Sequence, residues 1–411
     1  MEHRPFSYKN AEEFKADCAV LQHGLPYAED TSILREALQC GTHTIKNRLL
    51  AQPIEGFDAD ADGGPNEQVV ERYRRLSQGG SGTIWMESIS VNFEGKSGAK
   101  QLWITKDNVN RFRGLVDTIH ESGCPYVVAQ LTHSGRYSNP DGQRRAICAF
   151  SNPLIPKENS RIITDEELDG LRGDYVAAAQ LAEQAGFDAV DIRACHGYLL
   201  NELFAAYHRP GRYGGSYENR TRLLRDIVRD VREHTGLAVG VRLNVTDGLP
   251  YPYGWGCDPD DAKKQDMAEP LRLVQELAEL GVSILNVSAG IGACTPYMIR
   301  PYDRGAAIPD EHPLEGVERL LQSARMVKQA ATGVCVVASG FTWLRDYAPM
   351  VAAGGIRDGW FDLAGFGRQW VAAPYYADDI LSGRRLQKPC MACGGCTALI
   401  KSGQEMRCVR K

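Results

Sequence analysis

Four chemically capable side chains crowd one short stretch: Arg193, Cys195, His196 and Tyr198, within residues 188–222. They follow directly on the β-branched run Ala189-Val190-Asp191-Ile192. A cation, a thiol, an imidazole and a phenol at the end of a strand suit a catalytic rim better than a core. A second concentration lies in the last stretch of the chain. Cys390, Cys393 and Cys396 stand at two-residue gaps, and Cys408 follows after eleven more residues. Four thiolates so gathered make either a Zn(Cys)4 site or a [4Fe–4S] cluster. Zinc sites pair cysteines two by two, whereas three close together plus one distant partner fit a cubane better. Gly394 and Gly395 let the backbone wrap such a cluster and donate N–H bonds to its sulfides. The other eight of the 12 cysteines are scattered, as reduced buried thiols would be, which points to a reducing compartment.

The elements that must position these groups are legible as eight strand-like runs with helical runs between them. They fall at 45–50, 83–86, 126–131, 189–192, 238–243, 283–287, 334–338 and 361–364. Alternation with helices predicts βα units and a parallel sheet. Eight units in one chain favour a closed (β/α)8 TIM barrel over an open sheet. A capping box, Thr164 with Glu167, opens the helix before the fourth strand. The first 40 residues show no clear strand and are expected to pack across the barrel's bottom or against a neighbouring subunit.

Around the first stretch, His196-Gly197-Tyr198-Leu199 is followed by Arg212-Tyr213-Gly214-Gly215-Ser216 and Glu218-Asn219-Arg220. This pattern resembles the fourth strand and loop of the old yellow enzyme family (NADH:flavin oxidoreductase). It is closest to the iron–sulfur branch containing 2,4-dienoyl-CoA reductase and trimethylamine dehydrogenase, and the resemblance covers nearly the whole chain. It implies three parts: an N-terminal extension (1–44), an FMN-binding (β/α)8 barrel (45–385), and a short C-terminal cysteine-rich iron–sulfur segment (386–411) with Cys390, Cys393, Cys396 and Cys408 as ligands.

By the same resemblance, the turn at Pro53 and Ser88 after the second strand support the flavin. Gln130 hydrogen-bonds its pyrimidine, an edge that needs both a donor and an acceptor. Arg242 lies against its N1/O2 side and tunes its potential. Gly340, Gly367 and Arg368, after the last two strands, hold the phosphate. His133 and Arg136 read as scaffolding of their loop. The aromatic loop around Tyr253 and Trp255 is either a substrate platform or a pinned connection. Tyr297 and Arg300 join the same rim.

The implied chemistry is ene reduction: hydride passes from FMN to an activated C=C bond, Tyr198 protonates the α-carbon, and Arg193 with His196 polarises the acceptor. An arginine there favours an anionic substrate, an enoate carboxylate for instance. The plainer alternative pairs Arg193 with Glu202 or a phosphate. A second reading is amine oxidation or demethylation of the trimethylamine-dehydrogenase type, which Arg193 would disfavour for a simple cation. A third is an electron-transfer subunit of a larger flavoprotein. Relatives in that branch continue into FAD- and NAD(P)-binding domains. Nothing of that kind follows Cys408 here, so electrons are expected from a separate reductase, a ferredoxin or reduced flavin. A homo-oligomer rests on the resemblance alone.

Composition limits the field. In 411 residues, 43% are hydrophobic and 24% charged, as in a globular protein. A net charge of −5 argues against nucleic acid or anionic membrane as partner. The N-terminus has no apolar core like a signal peptide's, and no apolar run is long enough to span a bilayer, so a cytoplasmic location is expected.

Overall fold

The computed structural model describes residues 1–305 and 308–410. Eight parallel strands close on themselves: β1 (Leu49–Ala51), β2 (Thr83–Ser90), β3 (Val127–Thr132), β4 (Ala189–Ile192), β5 (Ala238–Asn244), β6 (Ile284–Ser288), β7 (Cys335–Ala338) and β8 (Leu363–Phe366). Phe366 of β8 pairs with Ala51 of β1 and seals the ring. Each expected strand is present, and the helix Asp165–Gln184 carries the expected capping box at Thr164 and Glu167.

Strand period decides what faces inward. In β3, β4 and β6, Val128, Ala189 and Ile284 point into the barrel and join Leu50, Trp85, Val337 and Leu363 in an apolar plug at its lower end. One step of two residues up those strands come Gln130, Asp191 and Asn286, a polar layer above the plug. The intervening residues, such as Ala129, Val190 and Leu285, pack outward in the large cluster that the surrounding helices cover. The barrel is thus dry below and polar above, and the polar end is the C-terminal one where catalytic loops belong.

The start of the first strand and the path of the leading residues differ from the sequence reading. β1 begins at Leu49, not at 45, because His43–Ile45 instead pairs antiparallel with Leu38–Cys40. Asn47 ends that hairpin by accepting from the Leu49 N–H and donating to Gly80 O. The hairpin does cover the bottom, where the Cys40 thiol meets Ser283 O at 3.5 Å. The leading residues do not. Phe6 donates its N–H to Asp303 at 2.8 Å and packs edge-on against Trp343, so this segment runs beside the loops after β6 and β7. Its aromatic side chains (Phe6, Tyr8, Phe14) find ring partners there. Among the described residues, no helix is long and apolar enough to cross a membrane.

Candidate active site

A cavity of about 610 Å³ opens at the C-terminal ends of the strands. Pro53, Gln130, Arg193, His196, Tyr198, Arg242, Arg300, Gly340, Gly367 and Arg368 all line it. The fold therefore gathers into one place side chains drawn from six strand ends and the loop after β6.

The floor is a hydrogen-bonded network centred on Asp191. Its carboxylate accepts from the Trp85 indole at 2.8 Å, the Gln130 amide at 2.6 Å and the Arg242 backbone N–H at 2.6 Å. An acceptor at that point fixes the Gln130 amide, whose NH2 must turn toward Asp191. Burial raises the Asp191 carboxyl to about 6, against the pull of those donors. Beside it, Gln52 and Asn286 exchange amide bonds of 3.0 and 2.8 Å, and Gln52 also donates to Ser339 at 2.9 Å.

The wall holds the candidate catalytic residues. The Arg193 guanidinium lies 3.5 Å from the centre of the Tyr198 ring. The Tyr198 hydroxyl donates to Glu55 at 3.3 Å, and Arg193 Nη1 is 3.7 Å from the same carboxylate. Burial pushes the Tyr198 phenol above its ordinary value although Arg193 opposes the shift, so it stays protonated at neutral pH. His196 meets Ser288 Oγ at 2.7 Å. Burial, and then Arg242, Arg193 and Arg300, hold the imidazole well below its ordinary value, so it is neutral. His196 also has φ 64°, a left-handed conformation that a non-glycine residue adopts at some cost and that recurs at functional sites.

The alternative pairing of Arg193 with Glu202 does not form. Glu202 is bound instead by Arg136, both side chains nearly fully buried, and it accepts the Ala149 N–H at 3.1 Å. Arg136 also donates to Ile155 O at 2.9 Å and Phe150 O at 2.8 Å. His133 accepts the Gly135 N–H at 3.1 Å and is pushed to about 4 by burial, a structural histidine. Both fit the scaffolding role.

Other expected residues sit elsewhere. Ser88 is enclosed behind the wall, donating to Glu55 and accepting from Gln101 at 2.9 Å. Trp255 is fully buried, its indole satisfied by Asn244 O at 3.1 Å and its ring 5.0 Å from Phe204. Tyr253 lines a different cavity, of about 660 Å³, with Arg209 and Pro252. Tyr297 lies off the cavity with Arg319 6.0 Å from its ring. That aromatic loop is pinned: a buried indole needs an acceptor, and the acceptor here is a backbone carbonyl of β5.

The electrostatics are one-sided. Arg144, Lys157, Arg193, Arg242, Arg300 and Arg368 line the cavity, and Glu55 is the sole carboxylate among its described lining residues. Burial lowers the basicity of Arg242, Arg300 and Arg368. Arg242 Nε and Arg193 Nε and Nη1 are buried with no hydrogen-bond partner. Buried donors of this kind are costly unless an acceptor meets them, so the polar balance fits a large anionic, carbonyl-bearing ligand such as FMN. Gly340 adds backbone freedom at φ 109°, and a Cβ on Gly365 would collide with the Gln52 amide.

The four clustered cysteines line a neighbouring cavity of about 230 Å³, with Cys396 and Arg368 common to both. Among the described residues no three His, Cys, Asp or Glu side chains come close enough to hold a single metal ion. Four cysteines around one cavity are a donor set of the kind a [4Fe–4S] cluster uses.

Sequence reading missed Glu55 and Asp191. Asp191 had a signal: it is the strand residue two before Arg193, hence on the same inward face. Glu55 had only its place just beyond the end of a strand.

The comparisons bear on this geometry. A model of the NADH:flavin oxidoreductase / NADH oxidase family matches residues 34–387. An NADH oxidase of Thermoanaerobacter brockii is 25% identical over 372 residues, which are 87% of this chain and 52% of that one. The chain thus spans about half the length of that relative. An NADPH dehydrogenase of Clostridium acetobutylicum is 31% identical over 262 residues, 62% of this chain and 73% of that one. A solved 2-naphthoyl-CoA reductase complex superposes with a TM-score of 0.77 at 22% identity, over 92% of this chain and 57% of that one, a likeness of fold.

Proposed function

The chain belongs to the NADH:flavin oxidoreductase / NADH oxidase family, and from that premise we propose that it is an FMN- and [4Fe–4S]-dependent ene-reductase acting on an activated C=C bond. Bound FMN supplies the hydride. Gln130 and Arg242, locked by Asp191, hold its ring, and Pro53 backs it. Gly340, Gly367 and Arg368 hold its phosphate. Cys390, Cys393, Cys396 and Cys408 hold the cluster. The electron donor follows the relatives' names, NADH or NADPH, acting directly or through a reductase, a ferredoxin or reduced flavin.

One observation carries the reading: a protonated phenol and an unsatisfied guanidinium stack on the same wall of the cavity. Arg193 binds and orients the substrate's carboxylate or carbonyl, with neutral His196 beside it. Tyr198 holds a proton at Oη and gives it to the α-carbon. The tyrosinate left behind sits against Arg193, which offsets its charge. Amine oxidation is the second reading, and Glu55 favours it, since a carboxylate beside the phenol suits a cationic nitrogen.

The test is anaerobic mixing of dithionite-reduced protein with a panel of α,β-unsaturated carboxylates. The reading expects return of the oxidised flavin band and the saturated acid as product. No reoxidation by any acceptor, together with bleaching of the oxidised protein by a methylated amine, would replace it with the second reading.

A further inference from the structure

Two opposite charges face the reaction end of the cavity without satisfying each other. Arg193 Nη1 stands 3.7 Å from Glu55 Oε1, attractive in charge but too long for a hydrogen bond. Arg193 Nε and Nη1 are buried with no hydrogen-bond partner, and the guanidinium lies over the Tyr198 ring. On Glu55, one oxygen is occupied: Oε1 takes the Ser88 hydroxyl, Gln101 at 3.2 Å and Ser97 at 3.4 Å. The other, Oε2, takes only the long 3.3 Å bond from Tyr198. Both side chains are fixed and mostly enclosed, at 7% and 16% exposure, so neither can swing away to solvent when a ligand enters.

Each simple ligand leaves something wrong. A monoanion satisfies Arg193 but lies against the Glu55 charge in an enclosed site, where like charges repel strongly. A monocation satisfies Glu55 but lies against Arg193. A neutral enone brings an acceptor for the guanidinium and nothing for Oε2. We propose that the site takes a zwitterion, with its carboxylate on Arg193 and a cationic nitrogen against Glu55. The short separation of the two protein charges sets the ligand's: carboxylate and nitrogen lie on the same or adjacent carbons, as in an α- or β-amino acid or its N-alkylated form. This rests on the reading of Arg193 as the anion anchor of a small-molecule oxidoreductase, and it names the substrate class of that same site for either direction of the chemistry.

The test reads binding, not turnover. Holoprotein with its oxidised flavin is titrated anaerobically with N,N-dimethylglycine and N,N-dimethyl-β-alanine. The matched monoanion is isovalerate and the matched monocation N,N-dimethylisobutylamine. Affinity is read by calorimetry and by perturbation of the flavin band. At least one zwitterion is expected to bind at least about tenfold more tightly than either singly charged probe. Glu55→Gln should reverse the order and make isovalerate the preferred ligand, with flavin content confirming that the variant is folded. Equal or tighter isovalerate binding by the native protein, binding of none of the four probes, or an unchanged order in Glu55→Gln would overturn the proposal. Failure of enoates to reoxidise reduced protein would sink the ene-reductase reading and leave this result standing.

Discussion

The side chains around Tyr198 are held in place by the protein alone, whereas the four-cysteine segment holds its thiols around a cavity without drawing them together. Arg193, Tyr198 and Glu55 are locked to one another, and their supports come from β2, β4 and the buried Arg136–Glu202 pair. Cys393 is exposed and Cys390, Cys396 and Cys408 are half-buried, on a segment whose one short helix spans Gly395–Lys401. Strand ladders fix a side chain whether or not a ligand is present. A metal-binding segment takes much of its order from the metal it holds. The two cavities share Arg368 and Cys396, and either region can be damaged while the other is watched.

The largest contrast should come from the thiols. Replacing Cys393 or Cys408 by Ala is expected to take iron from about four per chain to near none and to speed proteolysis after residue 386. Flavin content and the barrel's unfolding transition should stay near those of the native protein. Equal loss of flavin would show that the two regions are one cooperative unit.

The reverse damage is smaller but informative. Glu202→Leu strands the buried Arg136 guanidinium, and breaking such a pair costs about 3–5 kcal/mol. Urea unfolding should register that loss in the barrel while iron content per folded chain is unchanged. A loss under about 1 kcal/mol would mean the pair is no prop for the wall.

A finer difference is set by pH. His133 titrates near 4 in the fold and near 6.5 unfolded. The unfolded chain therefore takes up the proton first as pH falls, and stability drops between about pH 6.5 and pH 4. His133 alone contributes about 2 kcal/mol of that loss between pH 7 and pH 5. His133→Gln should flatten the acid limb of urea-denaturation midpoints by that amount, and an unchanged limb would mean the histidine is not buried neutral.

What the sequence made legible followed from local pattern. Apolar runs such as Ala189–Ile192 announce strands, and the glycine inside His196-Gly197-Tyr198 announces a loop that leaves the sheet. The hairpin Leu38–Ile45 was hidden because Ile45 reads as the start of β1, and only tertiary pairing with Leu38 separates them. Glu55 was hidden for a different reason. Its partners Ser88, Gln101 and Tyr198 lie far along the chain, and no spacing rule links them. For Trp255 the sequence left a platform and a pinned connection both open, because exposure cannot be read from residue type alone. Its acceptor on β5 is what buries it.

The most direct test of the account is Tyr198→Phe. Reduced native and variant protein are mixed anaerobically with an α,β-unsaturated carboxylate that reoxidises the native flavin, and the rates are compared. Loss of the Oη proton should slow reoxidation by roughly 10²–10⁴-fold with little change in ligand affinity. Reoxidation at the native rate would contradict the assignment of Tyr198 as proton donor, and with it the ene-reductase built on that wall.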